Sequence, residues 1–204
     1  MTFMDKHAPQ GLDDLVFVDE HTKTRVEQYA QAKRSGNIVL KGPKGTAKST
    51  TARIIAETVA GGDWSVPVYQ ASKMDEDTVD RLERDWNWGL LNGVKPPYVV
   101  IEEVDQLSKS LQQKLRATLD SCSYGKVIMT TNNDHAVDGP LLDRCDVMEM
   151  PAAKTDQWFD RVRKIFEEEG VSITDAQLAA LLATCNGSIR DLMRALEDYV
   201  LANK

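Results

Sequence analysis

Nine consecutive residues, Gly42-Pro43-Lys44-Gly45-Thr46-Ala47-Lys48-Ser49-Thr50, combine the groups needed to hold a chain of phosphates. Two glycines let the backbone curl so that several N–H groups converge on one anion, and a lysine supplies a point positive charge. The hydroxyl next to it suits magnesium, a hard cation that takes oxygen ligands. The apolar run Ile38-Val39-Leu40 precedes this segment and the helix-forming TTARIIAETVA follows it. Strand, glycine-bearing loop and helix is the context such chemistry requires, because the helix N-terminus adds partial positive charge. One position departs from the strict pattern G-x-x-x-x-G-K-[ST]: Ala47 stands where glycine is the rule. Its Cβ carries a cost wherever φ is positive or a ligand must approach closely. Without its flanks the segment would read as a chance match in a loop.

A second set of candidates, Glu102-Glu103-Val104-Asp105, follows the apolar run Tyr98-Val99-Val100-Ile101. Beside a phosphate loop, one carboxylate at a strand's end (Glu102) can support magnesium through its water shell. The next (Glu103) can orient or deprotonate the water that attacks the γ-phosphate. Taken alone the same residues would be a solvated acidic turn. The run KVIMTT (126–131) ends in Asn132-Asn133. An amide there can hold the attacking water or a phosphate oxygen without adding charge, with a plain polar loop as the alternative.

The elements that must position these groups follow from periodicity. Strands are predicted at 37–41, 66–71, 98–101, 126–131 and 146–150, and helices at about 21–35, 48–60, 75–91 and 108–121. The helix 75–91 carries Leu82, Trp86 and Leu90 at helical spacing, with Trp86 assigned to the core and Trp88 to core or surface. Gly61-Gly62-Asp63 and Pro96-Pro97 punctuate the chain. Strands alternating with helices imply a parallel α/β sheet of five strands whose ligand sits at their carboxyl ends. Beyond Pro151 the strand signal stops. Three amphipathic helices, about 155–169, 174–185 and 188–202, fit the remainder, the second opening on the capping-box spacing of Thr174 and Gln177. The expected division is an α/β domain over 1–150 and a small helical domain over 151–204.

Composition narrows the functions. With 204 residues, 42% hydrophobic and 28% charged, the chain can build one packed core or a large and a small one. A net charge of −7 argues against a generic polyanion binder, so any nucleic-acid contact must be local. Cys122, Cys145 and Cys185 form no C-x-x-C pair, which points away from a zinc site and a disulfide framework and towards a reducing compartment. No apolar stretch reaches the length of a membrane span, and MTFMDKHAPQ lacks a signal peptide's apolar core. A cytoplasmic protein is expected, from a prokaryote or a phage-infected cell, with no membrane partner.

Taken together, these motifs resemble an AAA+ ATPase, and within that family the small subunits of sliding-clamp loaders (replication factor C and its phage counterparts). The opening MDKHAPQGLDDLV resembles E-K-Y-R-P-x-x-L-D-D-[IL]-V. Asp105-Gln-Leu-Ser-Lys-Ser-Leu-Gln-Gln-Lys-Leu-Arg-Ala-Thr-Leu-Asp120 resembles D-x-[ML]-T-x-x-A-Q-Q-A-L-R-R-T-M-E. Asn132 lies eight residues before Pro140, as the family's sensor-1 asparagine does. Pro140-Leu-Leu-Asp143-Arg144-Cys145 resembles P-[IL]-x-S-R-C, and Gly187-Ser-Ile-Arg190 resembles G-D-[LM]-R.

The resemblance implies a lid formed by the second domain, and ATP and Mg²⁺ as cofactors. It implies nucleotide contacts from Val16 and from residues 42–50, and metal support from Ser49 and Glu102. Catalytic roles fall to Glu103, to Asn132, to Arg144 as a finger reaching the neighbouring subunit's nucleotide, and to Arg190 as sensor 2. The implied partners are neighbouring AAA+ subunits, a sliding clamp and primer-template DNA. Lys109, Lys114 and Arg116, in a stretch with no acidic residue, lie on the helix that faces the DNA backbone in clamp loaders. On charge alone they would be an ordinary solvated face. Departures are also present: Ala8 for the arginine of Y-R-P, Asp143 for serine, Ala47 for glycine, and Glu102 for the metal-supporting aspartate. The last two imply weak turnover. The sequence runs to Lys204, just after the expected lid, so the family's helical collar is expected to be absent, either through truncation or in a natural protein of another assembly mode. These features leave three readings: a clamp-loader subunit, a weakly hydrolysing ATP-dependent scaffold, or a AAA+ loader or remodeller of another client such as a helicase or transposase.

Overall fold

In a computed structural model, residues 2–61, 65–93, 98–184 and 188–203 are described. Five strands, β1 (Asn37–Lys41), β2 (Val68–Gln70), β3 (Val99–Glu102), β4 (Val127–Thr131) and β5 (Cys145–Glu149), form one sheet in the order β2-β3-β4-β1-β5. Every pairing is parallel. The short, β-branched runs read from sequence are strands because both faces are covered, so no polar alternation is needed.

The helices divide between the two faces. Ile38, Leu40, Val100 and Ile128 pack with Ala52, Ile55 and Ala56 of α3 (Lys48–Ala60) and with Val26 and Tyr29 of α2 (Glu20–Ala30). Val39, Val99, Ile101 and Met129 point the other way, onto Leu82 and Trp86 of α4 (Glu76–Leu91) and Leu115 of α5 (Lys109–Ser121). Each such side chain contributes about 1.5–3 kcal/mol of burial, which fixes the register that brings the strand ends together. Asp19, Asp75 and Ser108 cap α2, α4 and α5 through side-chain acceptors.

After the short helix α6 (Gly139–Leu142) and β5, the chain becomes all-α. A 3₁₀ turn (Thr155–Trp158) leads into α7 (Phe159–Glu169), then α8 (Asp175–Ala183) and α9 (Ile189–Asn203). Val162, Ile165, Phe166, Leu178, Leu192 and Leu196 make a separate core, against which Phe3 of the N-terminal helix α1 (Phe3–Lys6) also packs. Thr174 and Gln177 form the expected capping box. The fold is therefore a five-stranded parallel sheet flanked by helices, followed by a small helical lid.

Three details differ from the sequence reading. Helix α2 ends at Ala30 rather than near 35, because Ala32 takes a left-handed φ of 54° and the chain turns back. The second strand is trimmed to three residues and runs into a 3₁₀ turn. The buried stripe of α4 is Val79, Leu82, Trp86 and Gly89, a 3-4-3 repeat that leaves Leu90 at 55% exposure. The punctuating residues Gly62, Asp63, Pro96 and Pro97, together with Cys185 and Gly187, lie outside the described residues.

Candidate functional site

The loop between β1 and α3 leaves an inner strand of the sheet, beside the point where the chain crosses from one side of β1 to the other. Open α/β sheets bind ligands at such a point. Gly42 is required sterically, since a Cβ there would lie 2.2 Å from the Met150 carbonyl oxygen. Gly45 has a φ of 81°, and its carbonyl accepts the Ile189 N–H of α9 at 3.3 Å, which ties the loop to the lid. Ala47 sits at φ 60°, ψ 17°, the left-handed conformation that its Cβ disfavours. Lys48 follows at the first position of α3 and is 7% exposed. Its Nζ donates to the carbonyls of Gly42 at 2.9 Å and Pro43 at 2.6 Å. Burial pushes the Lys48 ammonium below its ordinary pKa, Asp105 and Glu103 pull it back up, and Arg190 adds to the depression. A buried cation whose hydrogen bonds go to neutral carbonyls, with the N-terminus of a 13-residue helix beside it, is suited to receive an anion.

A cavity of about 380 Å³ opens here. Its phosphate end is lined by residues 44–50, by Glu103 just after β3, by Thr130 and Asn132 at the end of β4, and by Arg190 of α9. Glu103 has a left-handed backbone (φ 58°), its N–H donates to Thr130 Oγ1 at 3.1 Å, and its carboxylate accepts from Gln106. Asp105 braces the neighbouring strand end, accepting from Thr131 Oγ1 at 2.7 Å and the Asn132 N–H at 3.3 Å. Sequence reasoning placed Ser49, Glu103, Asn132, Arg190 and Val16 at one site, and all five line this cavity.

The far end of the cavity was not foreseen. Met4, Leu15, Trp158, Val162 and Met193 give it apolar walls drawn from the N-terminal lead-in and the lid. A polar seam holds those two walls together. His7, 3% exposed, faces Glu168 at 3.0 Å and Glu169 at 2.5 Å through its two ring nitrogens. Arg161 donates to Asp14 at 2.7 Å and to the His7 carbonyl at 2.9 Å, and Gln157 donates to the Val18 carbonyl at 2.8 Å. Only the amphipathic pattern of the lid helices hinted that their apolar faces could also line a ligand site.

The remaining candidates lie elsewhere. Glu102 is buried at the end of β3, but it does not line the cavity: its carboxylate accepts from Arg53 at 2.8 Å and from Gln70. Arg144 does not line this cavity: its Nε and Nη2 are forked onto Asp120 at 2.6 and 2.9 Å and Nη1 donates to the Pro140 carbonyl. On α5, Lys114 is paired with Asp80 at 2.8 Å and Arg116 with Asp138 at 3.4 Å, whereas Lys109 is exposed without an ion pair among the described residues. Trp86 is core at 3% exposure and Trp88 is surface at 60%. No described helix is long and apolar enough to cross a membrane.

Residues 38–151 match the family described as "ATPase family associated with various cellular activities (AAA)". The chain is 26% identical over 200 residues to the replication factor C small subunit of Thermofilum pendens, covering 96% of this chain and 61% of that protein. The Haloarcula marismortui protein of the same name is 28% identical over 199 residues, with 96% and 61% covered. A probable replication factor C subunit 2 of Dictyostelium discoideum is 25% identical over 203 residues, with 97% and 60% covered. The chain thus spans about three fifths of the length of these relatives. A solved structure of Thermotoga maritima RuvB shares the fold with a TM-score of 0.75 at 17% identity, over 94% of this chain and 64% of that one.

Proposed function

Because the chain belongs to the AAA family of ATPases, we propose that it binds ATP in this cavity and hydrolyses it with a neighbouring subunit's help, as part of a clamp-loader-like replication machine. The observation that carries the reading is Lys48, a buried ammonium resting on loop carbonyls beside a helix N-terminus, with Glu103, Asn132 and Arg190 converging from three other elements. Phosphate oxygens would replace the carbonyls as Lys48's acceptors and exchange a weak partner for a charged one. Val16 and the apolar far end would take the base, and Ser49 offers the hydroxyl for the magnesium ion that accompanies ATP.

Glu103 would then orient or deprotonate the attacking water, Asn132 would hold that water or a γ-phosphate oxygen, and Arg190 would report the nucleotide's state to the lid. We assign the division between the α/β unit and the lid to about residue 150. Arg144, which does not line its own chain's cavity, would serve the nucleotide of the next subunit. The named relatives support a sliding clamp and primer-template DNA as further partners, Lys109 being the cation best placed for the DNA backbone. The exposed apolar end of α4, with Trp88 and Leu91, gives a remodeller of another client a place to dock and keeps that second reading in play.

Titration with a fluorescent ATP analogue tests the core of this proposal. Lys48→Ala should weaken binding by about two orders of magnitude, several kcal/mol of phosphate attraction being lost in a partly desolvated loop. Glu103→Gln should bind ATP normally yet lose turnover by about 10²–10⁴, since the group acts only in the transition state. Equal affinity of wild type and Lys48→Ala would sink the reading.

A further inference from the structure

Glu102 ends β3 on the sheet face that α3 covers, because Val100, two residues earlier, packs with Ala52 and Ile55 of that helix. The first turn of α3 carries Ser49, and Arg53 lies four residues on, along the same side of the helix. The Glu102 carboxylate reaches past the first turn to this arginine: Oε1 accepts from Arg53 Nη2 at 2.8 Å and Oε2 accepts from Gln70, its register partner on β2. Each oxygen accepts a hydrogen bond from a side chain, and Glu102 is 7% exposed. Arg53 is half-exposed and loses little by staying where it is.

We propose that Arg53 is a positioning residue that holds the Glu102 carboxylate away from a nucleotide-bound magnesium ion, so that Glu102 serves this chain as a buried counter-ion. The proposal rests on ATP being the cavity's ligand. For Glu102 to support the metal it would have to give up a charge-assisted hydrogen bond and a neutral one together, and the glutamate's extra methylene is what lets it reach both partners. With Arg53 removed, the same carboxylate is buried without its cation and gains by turning towards the metal.

The test measures how much magnesium strengthens binding of a fluorescent ATP analogue, as the ratio of Kd in EDTA to Kd in saturating magnesium. Glu102→Gln, nearly isosteric and still able to bond Gln70, should keep the wild-type ratio within about twofold, where loss of a metal-supporting carboxylate would lower it about tenfold or more. Arg53→Met should raise the ratio about fivefold or more, Arg53→Lys should stay near wild type, and the Arg53→Met/Glu102→Gln pair should fall back to it. A tenfold drop in Glu102→Gln, or an unchanged ratio in Arg53→Met, overturns the proposal while leaving ATP binding intact. No nucleotide binding in either condition overturns the ATP reading and this proposal with it.

Discussion

Lys48 in the cavity and two cations of the outer surface, Arg144 and Lys114, are held in opposite ways. Lys48 rests on two neutral carbonyls, and burial lowers its pKa. Arg144 and Lys114 rest on carboxylates, Asp120 and Asp80, whose hydrogen bonds raise theirs. A cation on carbonyls gains when a phosphate arrives, because it trades a dipole for a charge. A cation already on a carboxylate must give up one anion to take another, so its net gain is small unless the surroundings also change. By this comparison Lys48 is poised to receive a phosphate in the isolated chain, while Arg144, Lys114 and Arg116, proposed to meet a neighbour or DNA, are parked on carboxylates.

Arg144 offers the largest effect with which to break the comparison. An arginine supplied by a neighbour can contribute on the order of 10³ or more in phosphoryl-transfer rate. ATPase rate per subunit should therefore climb with protein concentration, and Arg144→Ala subunits should poison wild-type ones in mixtures. A concentration-independent rate with Arg144→Ala fully active would show that the Asp120 pair is its permanent place and that no shared site exists.

The cations proposed to meet DNA give a smaller effect. If Asp80 and Asp138 keep Lys114 and Arg116 neutralised, only Lys109 is free to release counterions from DNA. In anisotropy titrations of a primer-template duplex with a slowly hydrolysed ATP analogue, Lys109→Ala should lower the salt slope by about one, and the triple alanine variant should lower it hardly further. A triple variant that lost a slope of about three would mean that both pairs open on DNA.

These pairings mark where the sequence stops being readable. The phosphate loop was legible because nine adjacent residues and their flanks carry it, and backbone geometry follows locally from glycine, lysine and a helix start. Glu103 and Asn132 were legible one step further, since strand order decides which loop ends meet, while Arg190, on α9, was legible only through the resemblance of its segment to the family's G-D-[LM]-R. Arg53 with Glu102, Asp80 with Lys114 and Asp120 with Arg144 join residues 49, 34 and 24 positions apart, through side chains from separate elements. No period or motif encodes such a meeting. The apolar end of the cavity was hidden for a related reason: Trp158, Val162 and Met193 look like ordinary core positions of amphipathic helices until the lid is placed over the sheet.

At Lys48 the comparison can be sharpened by pH. A lysine with a depressed pKa loses its charge at lower pH than an ordinary one, and ATP favours the charged form. Affinity for ATP should therefore decline as pH rises through the alkaline range, beginning below the ordinary lysine value of 10.5. Each pH unit above the lowered pKa should cost up to about tenfold in affinity. Isothermal titration from neutral pH upward checks this, with Lys48→Arg, which keeps its charge, expected to bind with no such decline. A wild type as flat as Lys48→Arg would place the ammonium in ordinary solvent and remove the contrast with Lys114.

The smallest expected effect concerns the loop itself. Ala47 and Glu103 both take left-handed backbones at the phosphate end, so part of the pocket's readiness is held as strain. For Ala47 that conformation costs about 1–2 kcal/mol, and glycine at the same place would cost about 0.4–1 kcal/mol through the extra freedom of the unfolded chain. Ala47→Gly should therefore stabilise the protein by about 0.5–1 kcal/mol, raising Tm by about 1–4 °C for a chain of this size. Ala32, equally left-handed in the turn after α2, provides the control: Ala32→Gly should gain a similar amount without touching the cavity. Thermal unfolding without nucleotide, followed by ATP titration, separates the two sites. If Ala47→Gly gains stability and keeps its affinity within about twofold, the strain is incidental to the phosphate cradle. If it gains stability and binds ATP more weakly, the alanine is what holds the loop in its receiving shape. If it is less stable than wild type while Ala32→Gly is more stable, the Ala47 methyl is making contacts worth more than its strain, and the loop is held by packing instead.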